Sequence, residues 1–241
     1  MSTSEKGHAK NLANANLINT YITQLGATYQ PSNPEIKLTN LQTIYSNAFA
    51  QQKKINSALL PYTLAVNDRE AIFAPLNKKI TKLRKVYKAT QGVAPAQLED
   101  FMTIARRIKG IRKKPLSAPV PPETEHSQHS VSQMSYDQRT NNFAQMVEFL
   151  QSTPNYTPNE TEYKITTLEN EKNQMLLATK RVADTFIPLN MARGARNTAM
   201  YTGKNNLVET FNTAKDYLLS FLETNSTLYK AISKVRFAIV K

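Results

Sequence analysis

The chain has 241 residues, and its 31 Lys and Arg against 18 Asp and Glu give a formal net charge of +13. It contains no Cys, which excludes disulfides, thiolate nucleophiles and cysteine-ligated metal sites. With no Trp and only 6 Gly, the composition argues against a β-sandwich, a barrel or a dinucleotide-binding fold, and it predicts an all-α protein.

The N-terminal residues 1–10 are polar and lack the apolar segment of a secretory signal. The longest nearly apolar stretch, residues 58–66, is far shorter than the ~20 residues that a membrane-spanning helix needs. We therefore expect a soluble cytoplasmic protein.

In chain order, the first predicted helix covers about residues 10–25 and ends near Gly26. The segment Tyr29-Gln-Pro-Ser-Asn-Pro34 follows, and its prolines predict a turn because they prevent the helix from continuing. We interpret Tyr29 as a packing anchor for this turn.

From Leu41 to Tyr87 the apolar positions recur at alternating steps of four and three without a change of phase. This heptad pattern predicts one long, coiled-coil-like helix. Pro61 and Pro75 interrupt it, and each is expected to kink or break a helix. A tight helix–helix turn near Asn67 is the alternative.

The last helix of this half is predicted to start near Pro95, after Gly92 has ended the helix before it. Its apolar stripe consists of Leu98, Phe101, Ile104, Ile108 and Ile111. In the second half of the chain, the corresponding stripe is Leu228, Ile232, Val235 and Phe237.

The chain matches itself when it is shifted by 127 residues, and self-similarity at a fixed spacing indicates a duplicated structural unit. Ten residues between positions 29 and 70 are identical to the residue 127 places later: Tyr29, Pro31, Glu35, Lys37, Thr39, Leu41, Lys53, Pro61, Ala65 and Arg69.

A Pro- and Ser-rich segment, residues 115–130, separates the two predicted copies and is expected to be an extended linker. We therefore predict helical repeat 1 at residues 8–114 and helical repeat 2 at residues 131–241. Two tandem copies with apolar stripes can pack on each other as an elongated pseudo-symmetric bundle. An open array that recruits further chains is the alternative.

Basic residues concentrate in residues 78–114, where 12 cations oppose 2 anions, a net charge of +10. At 100° per residue, Lys78, Lys82, Lys85 and Lys88 fall opposite the apolar Ile80. Such a segment can bind a polyanion, or it can simply be a solvated helix face. The candidate polyanion-binding residues are Lys78, Lys79, Lys82, Arg84, Lys85, Lys88, Arg106, Arg107, Lys109, Arg112, Lys113 and Lys114.

Arg69 and Arg196 occupy seam positions where the pattern is otherwise apolar, and we interpret them as residues that fix the register of the repeats through an internal ion pair. Glu35, Glu70 and Glu162 are possible partners.

Other chemical signals are weak. His126 and His129 have a zinc-like spacing but lie in the linker, and Gly203-Lys204 lacks the remainder of a phosphate-binding loop. We expect no metal, cofactor, small-molecule substrate or catalytic residue, and hence no enzyme.

Five segments carry a resemblance to other proteins: the N-terminal residues 1–11, the Tyr-x-Pro turn at 29–31, Ile36-Lys-Leu-Thr39, Val66-Asn-Asp-Arg-Glu70 and Gln133-Met-Ser-Tyr-Asp137. With these segments the chain resembles a family of all-helical hypothetical proteins of Bacteroidota. The resemblance spans most of the chain. It implies a duplicated helical fold and a bacterial origin, and it implies no activity or ligand.

Three functions remain open at this point. The first is a non-enzymatic structural protein that mediates protein assembly or self-assembly. The second is a nucleic-acid-binding protein that contacts phosphates through residues 78–114. The third is peripheral binding of the same segment to an anionic membrane, which the sequence favours least.

Overall fold

The computed structural model describes residues 7–111 and 134–240. Over these residues the protein is all-helical, with 79% helix and no strand. The helices are α1 (His8–Leu25), α2 (Leu38–Phe73), α3 (Leu76–Ala89), α4 (Pro95–Lys109), α5 (Tyr136–Gln151), α6 (Ile165–Asn197), α7 (Leu207–Phe221) and α8 (Thr227–Ser233). The prediction of an all-α fold is confirmed.

The chain forms two compact units that do not follow the predicted repeats. Unit 1 consists of Met1–Tyr62 and Thr185–Lys241, and unit 2 consists of Thr63–Asp184. Each unit therefore combines a part of predicted repeat 1 with a part of predicted repeat 2. A repeat in the sequence and a unit of packing are different properties, so the boundaries of the two repeats stay a prediction. The predicted linker at 115–130 lies outside the described residues.

The core of unit 1 forms where α1, the start of α2, α7 and α8 contribute apolar side chains. Ile18, Leu41, Phe211 and Ile232 are fully buried there. A smaller cluster of Ile55, Leu189 and Ala192 joins α2 to α6 within the same unit. Burial of these large apolar side chains is the main favourable contribution to folding.

The core of unit 2 lies between α3, α4 and α5. Tyr87 stacks on Phe101 with ring centroids 4.5 Å apart, and Phe143 and Met146 of α5 are fully buried in the same cluster. The predicted stripe of α4 is confirmed at Phe101 and Ile108, which are fully buried, and Leu98 and Ile104 are partly buried against the same cluster. It is wrong at Ile111, which lies beyond the end of α4 and is 53% exposed.

The long heptad-patterned segment forms two helices rather than one. Helix α2 continues through Pro61 and ends at Phe73, and α3 begins at Leu76. Because Pro75 has no amide hydrogen to donate to Ala71, the helical hydrogen bonding is interrupted there. The prediction of one long helix is wrong at this joint, whereas the break expected at Pro75 is confirmed. The alternative turn near Asn67 is also wrong, because Asn67 lies within α2.

The C-terminal helix is shorter than predicted. Helix α8 ends at Ser233, and Val235 and Phe237 lie beyond it in a segment without regular secondary structure, although both still pack against the core of unit 1. The Nζ of Lys215 donates to the carbonyl of Val235 at 2.7 Å. Asn11 fixes the same segment, since its amide donates to the Ala238 carbonyl at 2.7 Å and its oxygen accepts from the Ala238 amide at 3.1 Å.

Two turns with the same hydrogen bond precede the long helices. The hydroxyl of Tyr29 donates to the carbonyl of Ile36 at 2.7 Å, before α2. The hydroxyl of Tyr156 donates to the carbonyl of Tyr163 at 2.9 Å, before α6. Both tyrosines are buried, so the interpretation of Tyr29 as an anchor of its turn is confirmed, with a hydrogen bond added to the packing.

Candidate functional site

Helix α3 in unit 2 presents a basic face to solvent. Lys78, Lys82, Lys85 and Lys88 are all exposed, whereas Leu76, Ile80, Leu83 and Tyr87 of the same helix are buried. The helical spacing predicted this separation, and it is confirmed. Over ten residues the face extends for about 15 Å along the helix axis. We call these four lysines the basic face.

The remaining cations of the predicted segment divide into engaged and exposed residues. Lys79 forms an ion pair with Glu171, Arg106 pairs with Glu99 at 2.8 Å, and Lys109 donates to Thr81 Oγ1 at 2.7 Å. The contacts of Lys79 and Lys109 join two helices, whereas the Arg106–Glu99 pair lies within α4; all three basic side chains are half-buried.

Two other members of the predicted set, Arg84 and Arg107, are exposed. Within the basic face, Lys82 has a carboxylate nearby, Glu162 at 4.0 Å, and both of these side chains are exposed. Arg112, Lys113 and Lys114 lie outside the described residues. Of the twelve predicted polyanion-binding residues, six are thus exposed in the described part of the chain: Lys78, Lys82, Arg84, Lys85, Lys88 and Arg107.

Arg69 contacts an aromatic ring instead of a carboxylate. Its guanidinium carbon lies 3.9 Å from the centroid of the Tyr136 ring, a cation–π distance. Tyr136 in turn packs edge-on against Phe73, with ring centroids 4.8 Å apart, and the guanidinium carbon of Arg139 lies 5.6 Å from the centroid of the Phe73 ring. No described carboxylate is in an ion pair with Arg69, so the predicted ion pair is absent from this part of the chain.

Arg196 also differs from the prediction. Its Nε and Nη2 donate to the side-chain oxygen of the adjacent Asn197 at 3.1 and 2.8 Å, and no described carboxylate pairs with it. Nearby in unit 1, Nδ1 of His8 lies 2.7 Å from the Tyr201 hydroxyl. Partial burial, followed by the charge of Arg196, lowers the pKa of His8 below its usual 6.5.

A surface that the sequence analysis did not identify lies on the long helices of unit 1. Its most exposed members are Leu60 of α2, at 62%, and Ile187 and Met191 of α6, at 58% and 70%. Further exposed apolar residues lie on the same two helices: Phe49, Leu59 and Phe186. We call these six residues the apolar face. Large apolar side chains that stay exposed are a frequent mark of an interaction site.

The sequence does contain a signal for this face. Leu59-Leu60-Pro61 and Phe186-Ile187-Pro188 stand at corresponding positions, 127 residues apart. Two successive apolar residues point about 100° apart on a helix, so a single narrow seam buries only one of them well. The second residue of each pair is the more exposed one.

Most of the charge near the apolar face is positive, but the exposed Asp184 of α6, which pairs with Lys180, stands three residues before Ile187. Residues 38–62 and 185–197 contain Lys53, Lys54, Arg193 and Arg196 and not one Asp or Glu. The first three of these cations are exposed, and the ammonium of Lys53 lies 4.9 Å from the centroid of the Phe49 ring.

The described residues offer little for metal or small-molecule chemistry. They contain no group of three or more His, Cys, Asp or Glu that could hold a metal ion, and His126 and His129 lie outside them. A cavity of about 200 Å³ beside the α2–α3 joint is lined by Pro75, the Lys79–Glu171 pair and Met175. Its two charged groups, Lys79 and Glu171, are already paired with each other.

Comparisons with protein-family models, with curated proteins and with solved structures found no match for this chain. None of the helices in the described residues is both long and apolar enough to cross a membrane.

Proposed function

We propose that this protein is a non-enzymatic helical scaffold whose long helices bind other protein chains. The observation that carries this proposal is the apolar face of unit 1, where six large apolar side chains stay exposed beside a well-packed cluster. Full burial of an exposed large apolar side chain contributes ~1.5–3 kcal/mol, and because these six are 40–70% exposed, a partner that covered them would gain roughly half of that for each.

We further propose that the chain arose from two copies of one helical unit with heptad-patterned long helices. Equivalent elements recur at the same spacing of 127 residues, which supports this proposal. Helix α2 starts at Leu38 and α6 at Ile165, and short helical turns precede them at Pro34–Ile36 and Thr161–Tyr163. The apolar pairs Leu59–Leu60 and Phe186–Ile187 recur at that spacing as well.

The assembly function is tested with the double variant Leu60→Ser/Ile187→Ser. Multi-angle light scattering and chemical cross-linking should detect a defined complex with a protein chain for the natural protein and should lose it for the variant. Because both side chains are more than half exposed, the variant should keep the thermal stability of the natural protein.

The matched control is Leu17→Ser/Ile239→Ser, which removes two exposed apolar residues of the same unit away from the apolar face. It should leave the complex intact. A natural protein that stays monomeric and cross-links to no protein chain would contradict the proposed function.

A second candidate function is binding to nucleic-acid phosphates, and the basic face favours it. Four lysines of one helix are exposed together, and three of them have no described ion-pair partner. Reversal of their charge should abolish binding to a random DNA duplex if this function is correct.

A further inference from the structure

The residues that follow α8 are held against α1 by two asparagines, and we call residues 235–240 the docked segment. The amide of Asn11 donates to the carbonyl of Ala238 at 2.7 Å, and its oxygen accepts from the amide of the same residue at 3.1 Å. The amide of Asn14 donates to the carbonyl of Arg236 at 2.7 Å. Asn11 and Asn14 are only 1% and 8% exposed. We call these two asparagines the asparagine clamp.

The asparagine clamp recognises main chain rather than side chains. All three of its hydrogen bonds to the docked segment go to backbone atoms, which is how proteins commonly hold a segment without regular structure. Apolar contacts complete the site, since Val235 is buried and the ring of Phe237 lies 5.8 Å from that of Phe211 in α7, measured between centroids. The site therefore fits this segment, whichever copy of the chain supplies it.

The docked segment is held less firmly than the helices around it. Beyond Val235, Phe237 and Ala238 are only partly buried, and Ile239 is 69% exposed. A segment with few buried apolar side chains opens at a lower free energy than the core of a unit. Release of the docked segment therefore does not require unit 1 to unfold.

The hinge of the docked segment is a single residue. Helix α8 ends at Ser233 and Val235 is already buried, so Lys234 alone connects them. The amide of Val235 donates to the carbonyl of Ile232 at 3.0 Å, which makes the turn tight. A short hinge favours exchange of a segment between copies, whereas a long one lets the segment fold back onto its own unit.

We propose that the asparagine clamp binds the docked segment of a second copy of this chain, so that two copies associate by exchanging residues 235–240. The contacts within the exchanged pair are the same as those within one copy, and the tight turn at Lys234 opens. This inference goes beyond the proposed function, because it uses no residue of the apolar face.

Energy transfer between two labelled batches of the full chain tests the exchange. Because the chain contains no Cys, one introduced Cys gives one label. The donor copy carries Lys10→Cys on α1, and the acceptor copy carries Ile239→Cys; both positions are exposed. Transfer between copies should rise with protein concentration, since the acceptor then lies on the α1 of the donor copy. Salt should favour it, because each copy has a net charge of +13.

The position of the substitution Asn11→Ala shows which copy supplies the clamp. In the donor copy it should weaken the association about tenfold or more, because two hydrogen bonds to the incoming segment are lost. In the acceptor copy it should not weaken the association, because that copy supplies the segment to the intact clamp of the donor.

The length of the hinge provides a second, independent test. Insertion of Gly-Gly-Ser-Gly between Lys234 and Val235 in both copies should abolish most of the transfer, because the segment then closes on its own unit. The matched control places the same insertion between Gln91 and Gly92, in the connection of α3 to α4 in unit 2. It should leave the transfer unchanged.

Three results would overturn the inference: no transfer at any concentration, transfer that the hinge insertion leaves unchanged, and equal loss whichever copy carries Asn11→Ala. If transfer depends on Leu60 and Ile187 and not on the hinge, the copies meet at the apolar face, so the inference fails and the assembly function stands. If the exchange is found but Leu60→Ser/Ile187→Ser abolishes no complex, the inference stands and the role of the apolar face fails. A monomer with no protein partner contradicts both.

Discussion

The nucleic-acid function makes a quantitative prediction about salt. The basic face extends for about 15 Å, and duplex DNA carries one phosphate charge per about 1.7 Å of its axis, so each of the four lysines can reach a phosphate. Four contacts predict a slope of about −3.6 for log K against log salt, and binding should weaken about 150-fold between about 50 and about 200 mM. If Glu162 keeps Lys82 engaged, three contacts predict a slope of about −2.7.

The perturbation is reversal of the four lysines of the basic face to Glu, measured by anisotropy with a labelled random duplex. We expect the loss of detectable binding at low salt, because attraction to the phosphates becomes repulsion. The matched control reverses four exposed cations of unit 1, Lys204, Lys230, Lys234 and Arg236, and it changes the net charge by the same amount. Its binding should fall much less.

Two outcomes would refute the reasoning. A slope shallower than about −2 would mean that fewer than three phosphates are contacted, so that the basic face does not act as a unit. An equal loss in the control variant would mean that net charge, and not the arrangement on α3, attracts the duplex. Either result leaves the basic face as a solvated surface of unit 2.

Two further predictions concern stability. Tyr29→Phe and Tyr156→Phe should each lower the free energy of unfolding by about 1–2 kcal/mol, since each removes one buried hydrogen bond to a carbonyl. Urea denaturation measures this loss, and a loss for only one of the two variants would contradict the equivalence of the two turns. The lowered pKa of His8 means that its contribution to stability is intact above about pH 6.5 and is lost as the pH falls through the lower folded-state value. Hydrogen-exchange protection of the Ala238 amide should therefore decrease when the pH is lowered, and His8→Gln should remove this pH dependence. Identical pH profiles for the natural protein and the His8→Gln variant would show that His8 does not stabilise the C-terminal segment.

The helix ends that could be predicted are those set by local chemistry. Gly26 has a φ of 51° and Gly92 a φ of 80°, which glycine tolerates better than other residues, and Pro95 occupies the first position of α4. The two prolines within the long segment could not be distinguished, because each removes one helical hydrogen bond. Tertiary packing decides between them: Ile55 and Tyr62 on either side of Pro61 pack in one cluster with α6, which supports a continuous helix there.

The division into units could not be predicted from the pattern. The apolar stripes of the two predicted repeats are nearly interchangeable, so a stripe can pack within its own repeat or against the other one with similar burial. The basic face, in contrast, could be predicted from spacing alone, because the alternation of Lys78, Lys82 and Lys85 with apolar residues has one helical solution.

The contact of Arg69 shows why a pattern in the sequence does not predict which side chain an arginine will contact. An arginine at a seam position needs a group that accepts its charge, and carboxylates were the expected partners. The ring of Tyr136 also meets this need, since the face of an aromatic ring attracts a guanidinium.

The apolar face likewise differs from what the linear pattern predicts. The heptad pattern treats Leu59 as buried, yet it is 43% exposed, and Leu60 beside it is more exposed still. Adjacent apolar residues on a helix cannot both face one partner helix, so Leu59-Leu60 and Phe186-Ile187 require either a second partner or exposure to water.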